Sequence, residues 1–185
     1  MSGKNDKFLF DSSLLYNLDF SQCVCAFNPA VTPERPGDGL VMRPLQIHDY
    51  DKGYLDLLSQ LTVVGEITRS RFQDQFGAMK KAANHFVVVI EDVTVGKIIS
   101  SATLLIEHKF IHRASQRGRV EDVVVHEGHR GKQLAKLMLE SLRLLSIELG
   151  CYKLTLECDE KMRPFYEKFG FKLGSTLFLQ LRFFE

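Results

Sequence analysis

The sequence carries almost no net charge: 24 Lys and Arg against 23 Asp and Glu leave +1 at neutral pH over 185 residues. A balance that even gives no global field to gather nucleic acid or an anionic membrane, so any anion site has to be local. Long hydrophobic runs are also missing. None reaches the roughly 18 apolar residues of a membrane-spanning helix. The opening MSGKNDKFLF lacks the apolar core of a secretory signal, and the expectation is a cytoplasmic protein with no membrane span. Cysteine is sparse: Cys23, Cys25, Cys151 and Cys158. Without a secretory signal these are expected as free thiols. The C-x-C pair has no His-x-x-His pattern beside it, and H-E-x-x-H is absent, so no metal is expected. No internal repeat or low-complexity run appears.

What is present suits one well-cored domain, with 45% hydrophobic and 25% charged residues. Residues 1–37 read as an N-terminal extension that packs on the domain of residues 38–185. The extension holds a short apolar patch, Leu14, Leu15 and Leu18. NPAVTPERPGDG follows, whose three prolines and two glycines predict an extended or turning path. LVMRPL then predicts a short strand ended by Pro44. Asp49 is placed to cap a helix over 50–61, with Tyr54, Leu57, Leu58 and Leu61 on one face, and Thr68 to cap another over 69–83. HFVVVIED and KIISSATLLIEHKFIH predict a hairpin through VTVG, the second strand running to His112. RVEDVVV predicts a third strand and residues 134–149 a long amphipathic helix stopped by Gly150. YKLTLEC predicts a strand, DEKMRPFYEKFG a short helix, and FKLGSTLFLQLRFFE a final strand region. The resulting fold class is α/β: a mixed, mostly antiparallel central sheet with flanking helices. A right-handed parallel crossover is expected across residues 120–158.

The stretch from 119 to 149 organises the chain. A strand feeds a polar loop, and the loop holds Arg130, Gly131, Lys132 and Gln133 where the long helix begins. A helix start presents unpaired N–H groups and the positive end of the peptide dipole. Cations there oppose the dipole by roughly 0.3–1 kcal/mol each, so Arg130, Lys132 and Lys136 together favour a bound phosphate over a solvated basic cap. Ahead of the loop, Glu121 and Asp122 are adjacent. A regular strand would send them to opposite faces, whereas a bulge could aim both at a ligand.

R-G-K-Q-L-A opening that helix, together with the order of elements, resembles the Gcn5-related N-acetyltransferase superfamily. Its loop pattern is Q/R-x-x-G-x-G/A. Arg130 and Ala135 match, and Gln133 replaces the first glycine. FYEKFGF, from Phe165 to Phe171, resembles the superfamily's Y-x-k-x-G-F element. RGRVEDVVV, IEHKFIH and CYKLTLEC are similar to the branch that acetylates the amine of glucosamine 6-phosphate.

The resemblance implies the acyl-CoA N-acyltransferase fold and acetyl-CoA as co-substrate. Backbone from Arg130, Gly131, Lys132, Gln133, Leu134, Ala135 and Lys136 would hold its pyrophosphate. Val123, Val124 and Val125 would bind the pantetheine arm as an added strand. The acceptor would be a sugar phosphate met by Thr62, Lys109, Phe110, Ile111, His112, Glu121, Asp122, Tyr152, Lys153 and Arg182. Arg182 would come from the partner of a homodimer with C-terminal strand exchange. Leu177, Leu179, Leu181 and Phe183 alternate with Phe178, Gln180, Arg182 and Phe184, which suits a strand buried on both faces, in a swapped dimer or in the monomer's own sheet. Glu157 is the candidate to deprotonate or orient the amine, or is a structural carboxylate. Tyr166 is the candidate to protonate the departing thiolate. One departure is Met162, where relatives carry Asn ahead of F-Y. A protein or polyamine N-acetyltransferase, and a non-catalytic acetyl-CoA-binding regulator, stay open.

Overall fold

The computed structural model describes residues 7–183. At its centre are five strands in the order β1-β2-β3-β4-β5. They are β1 Leu40–Pro44, β2 His85–Asp92, β3 Lys97–His108, β4 Gln116–Val125 and β5 Cys151–Thr155. β1 to β4 are antiparallel to their neighbours, and β5 lies parallel to β4. This is the mixed, mostly antiparallel sheet the sequence leads one to expect. The helices are α1 Ser13–Tyr16, α2 Tyr54–Leu58, α3 Arg69–Ala82, α4 Ile111–Ala114, α5 Leu134–Glu148 and α6 Arg163–Glu167.

The two-residue period of a strand sorts its side chains between two cores. In β2, Phe86, Val88 and Ile90 pack with α5, while Val87 and Val89 pack with α2 and α3. The helical spacing of α5 holds as expected: Leu134, Leu137, Met138, Leu142 and Leu145 are each at most 2% exposed. Burying such a side chain contributes roughly 1.5–3 kcal/mol. Gly150 ends the helix with φ +76°, a conformation glycine adopts without a Cβ penalty. α3 begins as expected, with the Thr68 hydroxyl accepting from the Arg71 N–H and Phe72 and Phe76 buried. The N-terminal segment enters both cores: Leu15 sits under α5, and Leu9 joins the side of α2 and α3.

Five expectations need correction. The helix over 50–61 is two pieces, a 3₁₀ turn Asp49–Lys52 and the short α2, divided by left-handed Gly53. Asp49 is no cap. It is fully buried and takes both terminal nitrogens of the Arg43 guanidinium at 2.7 Å. Arg43 in turn bonds Glu91 at 2.6 Å, and Lys52 closes the set at 2.5 Å. A carboxylate with a buried arginine to neutralise is worth more there than as a helix cap. β3 stops at His108 rather than at His112, because the chain turns sharply through α4, where His112, Arg113 and Ala114 all have positive φ. The Lys109 N–H donating to the Ser115 carbonyl closes this turn. β4 is longer than RVEDVVV, starting at Gln116. The final strand region forms no strand over residues 171–183, and Phe184 lies outside the described residues.

Candidate active site

The site grows from an irregularity in β4. Ser101 pairs with Val124, but Thr103 pairs with Glu121. One residue of β3 therefore spans two of β4, a bulge, and Asp122 sits in it with φ +52°. The extra residue switches the facing of the strand. Before it Val120 packs with α5, and after it Val123 and Val125 do so, while Val124 turns to the other core. Glu121 and Asp122 are thus released from the strict alternation that would have buried one of them.

At the same level the sheet parts. β5 pairs with β4 only up to Arg119, opposite Thr155. Beyond that point 120–125 has an edge that no other described strand covers on the β5 side. Glu157 stands just past the end of β5. The Arg119 guanidinium reaches both acids: Nε to Glu121 at 2.6 Å and a terminal nitrogen to Glu157 at 2.9 Å. Asp122 is exposed as a residue, yet the surrounding protein pushes its carboxyl above the ordinary carboxylate range, and the Glu121 charge adds to this. Tyr54, expected as an apolar helix-face residue, lies near enough to feel Asp122, and burial pushes its phenol up to about 12.

The loop after β4 makes a 3₁₀ turn, Glu127–His129, and passes through Arg130 and Gly131, φ +80°, to Gln133, φ +61°. Gln133 precedes α5 and gives it no side-chain cap. Its amide turns to the N-terminal segment instead, accepting from the Asn28 N–H and donating to the Pro29 carbonyl, both at 3.0 Å. Lys136 follows it there, bonding the Ala26 carbonyl and lying 4.7 Å over the Phe27 ring. Of the three cations expected at a phosphate, Lys136 is therefore held by the N-terminal segment, and the Gln133 amide, whose backbone alone was expected to serve, is held there with it. Arg130 and Lys132 remain exposed beside the loop, and Leu134 is buried, leaving its backbone to the site. A cavity of about 400 Å³ lies between this segment and the loop, with Asn28, Pro29, Asp38, Asp92, Lys132 and Gln133 among its walls.

Tyr166 stands on α6, half-buried, edge-on to Phe165 and Phe171 at 5.2 and 6.2 Å. Burial pushes its phenol up, with a smaller push from Cys158. Pro164 falls in the first turn of α6, and Met162 occupies the N-cap position without a capping bond. Further along the sheet, the His112 and Tyr152 rings lie 4.3 Å apart, with Lys153 5.5 Å over the Tyr152 ring. Lys109 is bound to Glu107 at 2.5 Å. Phe110 is fully exposed and Ile111 largely so. Thr62 is exposed in the loop after α2, its N–H bonded to the Leu58 carbonyl. Arg182 is exposed on the segment that follows α6. Among the described residues no cluster of three or more metal-binding side chains occurs.

A parted parallel strand pair followed by a loop and helix is the setting that sequence comparison then specifies: the profile of the Acetyltransferase (GNAT) family matches residues 50–171. The chain belongs to the GNAT acetyltransferase family. Within it, the chain is 47% identical over 167 residues to a probable glucosamine 6-phosphate N-acetyltransferase of Drosophila melanogaster, covering 90% of this chain and 76% of that one. It is 41% identical over 130 residues to a glucosamine 6-phosphate N-acetyltransferase of Arabidopsis thaliana, covering 70% of this chain and 87% of that one. The crystal structure of glucosamine-6-phosphate N-acetyltransferase from Arabidopsis thaliana superposes with a TM-score of 0.74 at 38% identity, over 77% of this chain and 97% of that one.

This GNAT chain brings together Glu121, Asp122 and Glu157 at the parting strands, and His112, Tyr152 and Lys153 in a second group. It does not turn Gln133 and Lys136 toward the loop's mouth. Arg119 was legible in principle, because a residue two before Glu121 on a strand shares its face. The Gln133 contacts with residues 28 and 29 had no signal in sequence, being 105 and 104 positions away.

Proposed function

We propose that the chain transfers acetyl from acetyl-CoA to the amine of D-glucosamine 6-phosphate, giving N-acetyl-D-glucosamine 6-phosphate and CoA, a step toward UDP-N-acetylglucosamine. The observation that carries this reading is the bulged, uncovered edge of β4 beside the end of β5, in a chain so similar to enzymes named for that reaction. The pantetheine arm lies along Val123, Val124 and Val125 as an added strand. The pyrophosphate is held at the start of α5 by backbone N–H groups from Arg130 through Lys136. Arg130 and Lys132 supply charge, and the Gln133 and Lys136 side chains stay with the N-terminal segment.

The reaction is direct attack in a ternary complex. The amine nitrogen bonds to the thioester carbon, the C–S bond breaks, and the thiolate takes the proton of Tyr166. A phenol kept protonated by burial suits that step. Glu157 receives or orients the proton of the amine. Glu121 and Asp122 bind sugar hydroxyls with Thr62. Lys109, His112, Lys153 and Arg182, with Phe110, Ile111 and Tyr152, enclose the phosphate end. Arg182 comes from a second copy. The exposed Leu177, Leu179, Leu181 and Phe183, each 78–90% accessible, support a homodimer that exchanges its C-terminal segments. We further read residues 1–37 as an extension on an acetyltransferase domain of 38–185, and the protein as cytoplasmic.

Following thiol release from acetyl-CoA tests the reaction, with glucosamine 6-phosphate, glucosamine, a polyamine and an amine peptide as acceptors. The expected result is release with the sugar phosphate and far slower release with the others. Release with the peptide or polyamine alone makes this a different N-acetyltransferase. Acetyl-CoA binding without release for any acceptor makes it a regulator, the outcome Met162 in place of Asn would then explain.

A further inference from the structure

Glu121 and Glu157 belong to different elements, and the backbone pairing of β4 with β5 stops two residues short of each. β4 carries Glu121 at the edge of a bulge, where the ladder to β3 slips. Glu157 lies past the last residue of β5, beyond the parallel pairing that stops at Arg119 and Thr155. A glutamate in that position, 46% exposed, has several rotamers open to it. Fixing it needs a partner with a defined direction.

Arg119 is that partner. It stands on the face of β4 that Glu121 occupies, at the last paired position before the strands part. Its guanidinium bonds one oxygen of Glu121 at 2.6 Å and one of Glu157 at 2.9 Å. Glu107 from β3 also acts on Arg119 through space, but its carboxylate is engaged elsewhere, by Arg117 at 2.6 Å and Lys109 at 2.5 Å. A planar fork with donors in fixed directions can join two carboxylates from two elements, whereas an ammonium is a point charge on a flexible stem.

We propose that Arg119 is a positioning residue for acetyl transfer, yoking Glu121 to Glu157 across the parting of β4 and β5 so that the second oxygen of each carboxylate is presented to the acceptor. This rests on the acetyl-transfer reading above. The acceptor hydroxyl and amine then meet two acids at a set separation, and the amine approaches the thioester along one line. Misplacement of such groups by about 1 Å can cost about a hundredfold in rate.

Steady-state kinetics of the full chain, its Arg119→Gln, Arg119→Lys and Glu157→Gln variants, and the Arg119→Gln/Glu157→Gln double variant test this. Arg119→Gln is expected to lower kcat by about 10- to 100-fold, with the acetyl-CoA KM and the melting temperature little changed. Arg119→Lys is expected to recover part of the loss. In the Glu157→Gln background, Arg119→Gln should lose most of its effect, since residues acting through one another are not additive. Additive effects, or a loss that tracks melting temperature alone, overturn the proposal. If Arg119→Gln does not fold, Arg119→Lys is carried through the same cycle with Glu157→Gln. The reading of function fails separately. If the wild type acetylates only another amine, the cycle is run with that amine, and non-additivity there keeps Arg119 while retiring the sugar phosphate. A wild type that turns over no acceptor retires both.

Discussion

Asp122 combines a left-handed backbone with a carboxyl pushed up by its surroundings and by Glu121. As pH rises, the unfolded chain therefore releases this proton before the folded one does. The contribution of Asp122 to stability is full in acid and declines as pH climbs from the ordinary carboxylate range through the raised folded value. Asp122→Asn should then raise the melting temperature more at pH 8 than at pH 4, because asparagine tolerates the same backbone and gains no charge as pH rises. Equal shifts at the two pH values would remove the ionic part of this account. Asp122 also marks how far the residues could be read from sequence. Adjacency with Glu121 was visible, and so was the need for a bulge if both were to serve. Whether the bulge existed depended on pairing with Ser101 and Thr103, some twenty positions back, which no local pattern encodes. Arg119 was passed over for a like reason: its link to Glu157 spans 38 positions, and only its shared face with Glu121 was local.

Among the elements, α5 and α3 were the easiest to foresee, since each has a long apolar period and a local stop or cap. α2 was the hardest. Gly53 breaks its pattern, and Asp49 has a better partner in Arg43 than a helix start offers. The end of β3 was missed because three consecutive left-handed residues without glycine have no compositional signature. The close approach of β4 to β5 hinges on Gly118. A Cβ there would meet Leu154 Cδ1 at 2.8 Å and Leu104 Cδ1 at 3.0 Å, inside the core beneath α5. Gly118→Ala is expected to cost about 1–3 kcal/mol by overpacking, read as a lower urea midpoint at unchanged slope. An unchanged midpoint would mean the two leucines move aside freely.

For the whole molecule, the expected final strand leaves an apolar segment with little to lie against. Leu177, Leu179 and Phe183 are 80–90% exposed in the single chain, three large apolar side chains turned to solvent within seven residues. Alternation along 177–183 was legible, but a strand needs a neighbour, and sequence does not say whose. Light scattering should give the full chain twice the 21.1 kDa mass of one copy, and a chain ending at residue 170 the mass of one. Equal masses for both would exclude the segment from assembly. At the opposite end of the sequence, residues 26–29 are tied to Gln133 and Lys136, the side chains flanking the start of α5. The first turn of that helix and the N-terminal segment thereby form one thermodynamic unit. A ligand that draws Lys136 away from Ala26 loosens that tie, and one that leaves the contact untouched does not shift it. By reciprocity, a fusion tag pulling on residues 22–29 would surface as altered coenzyme affinity, and protease nicking of that stretch becomes a gauge of what the loop is holding.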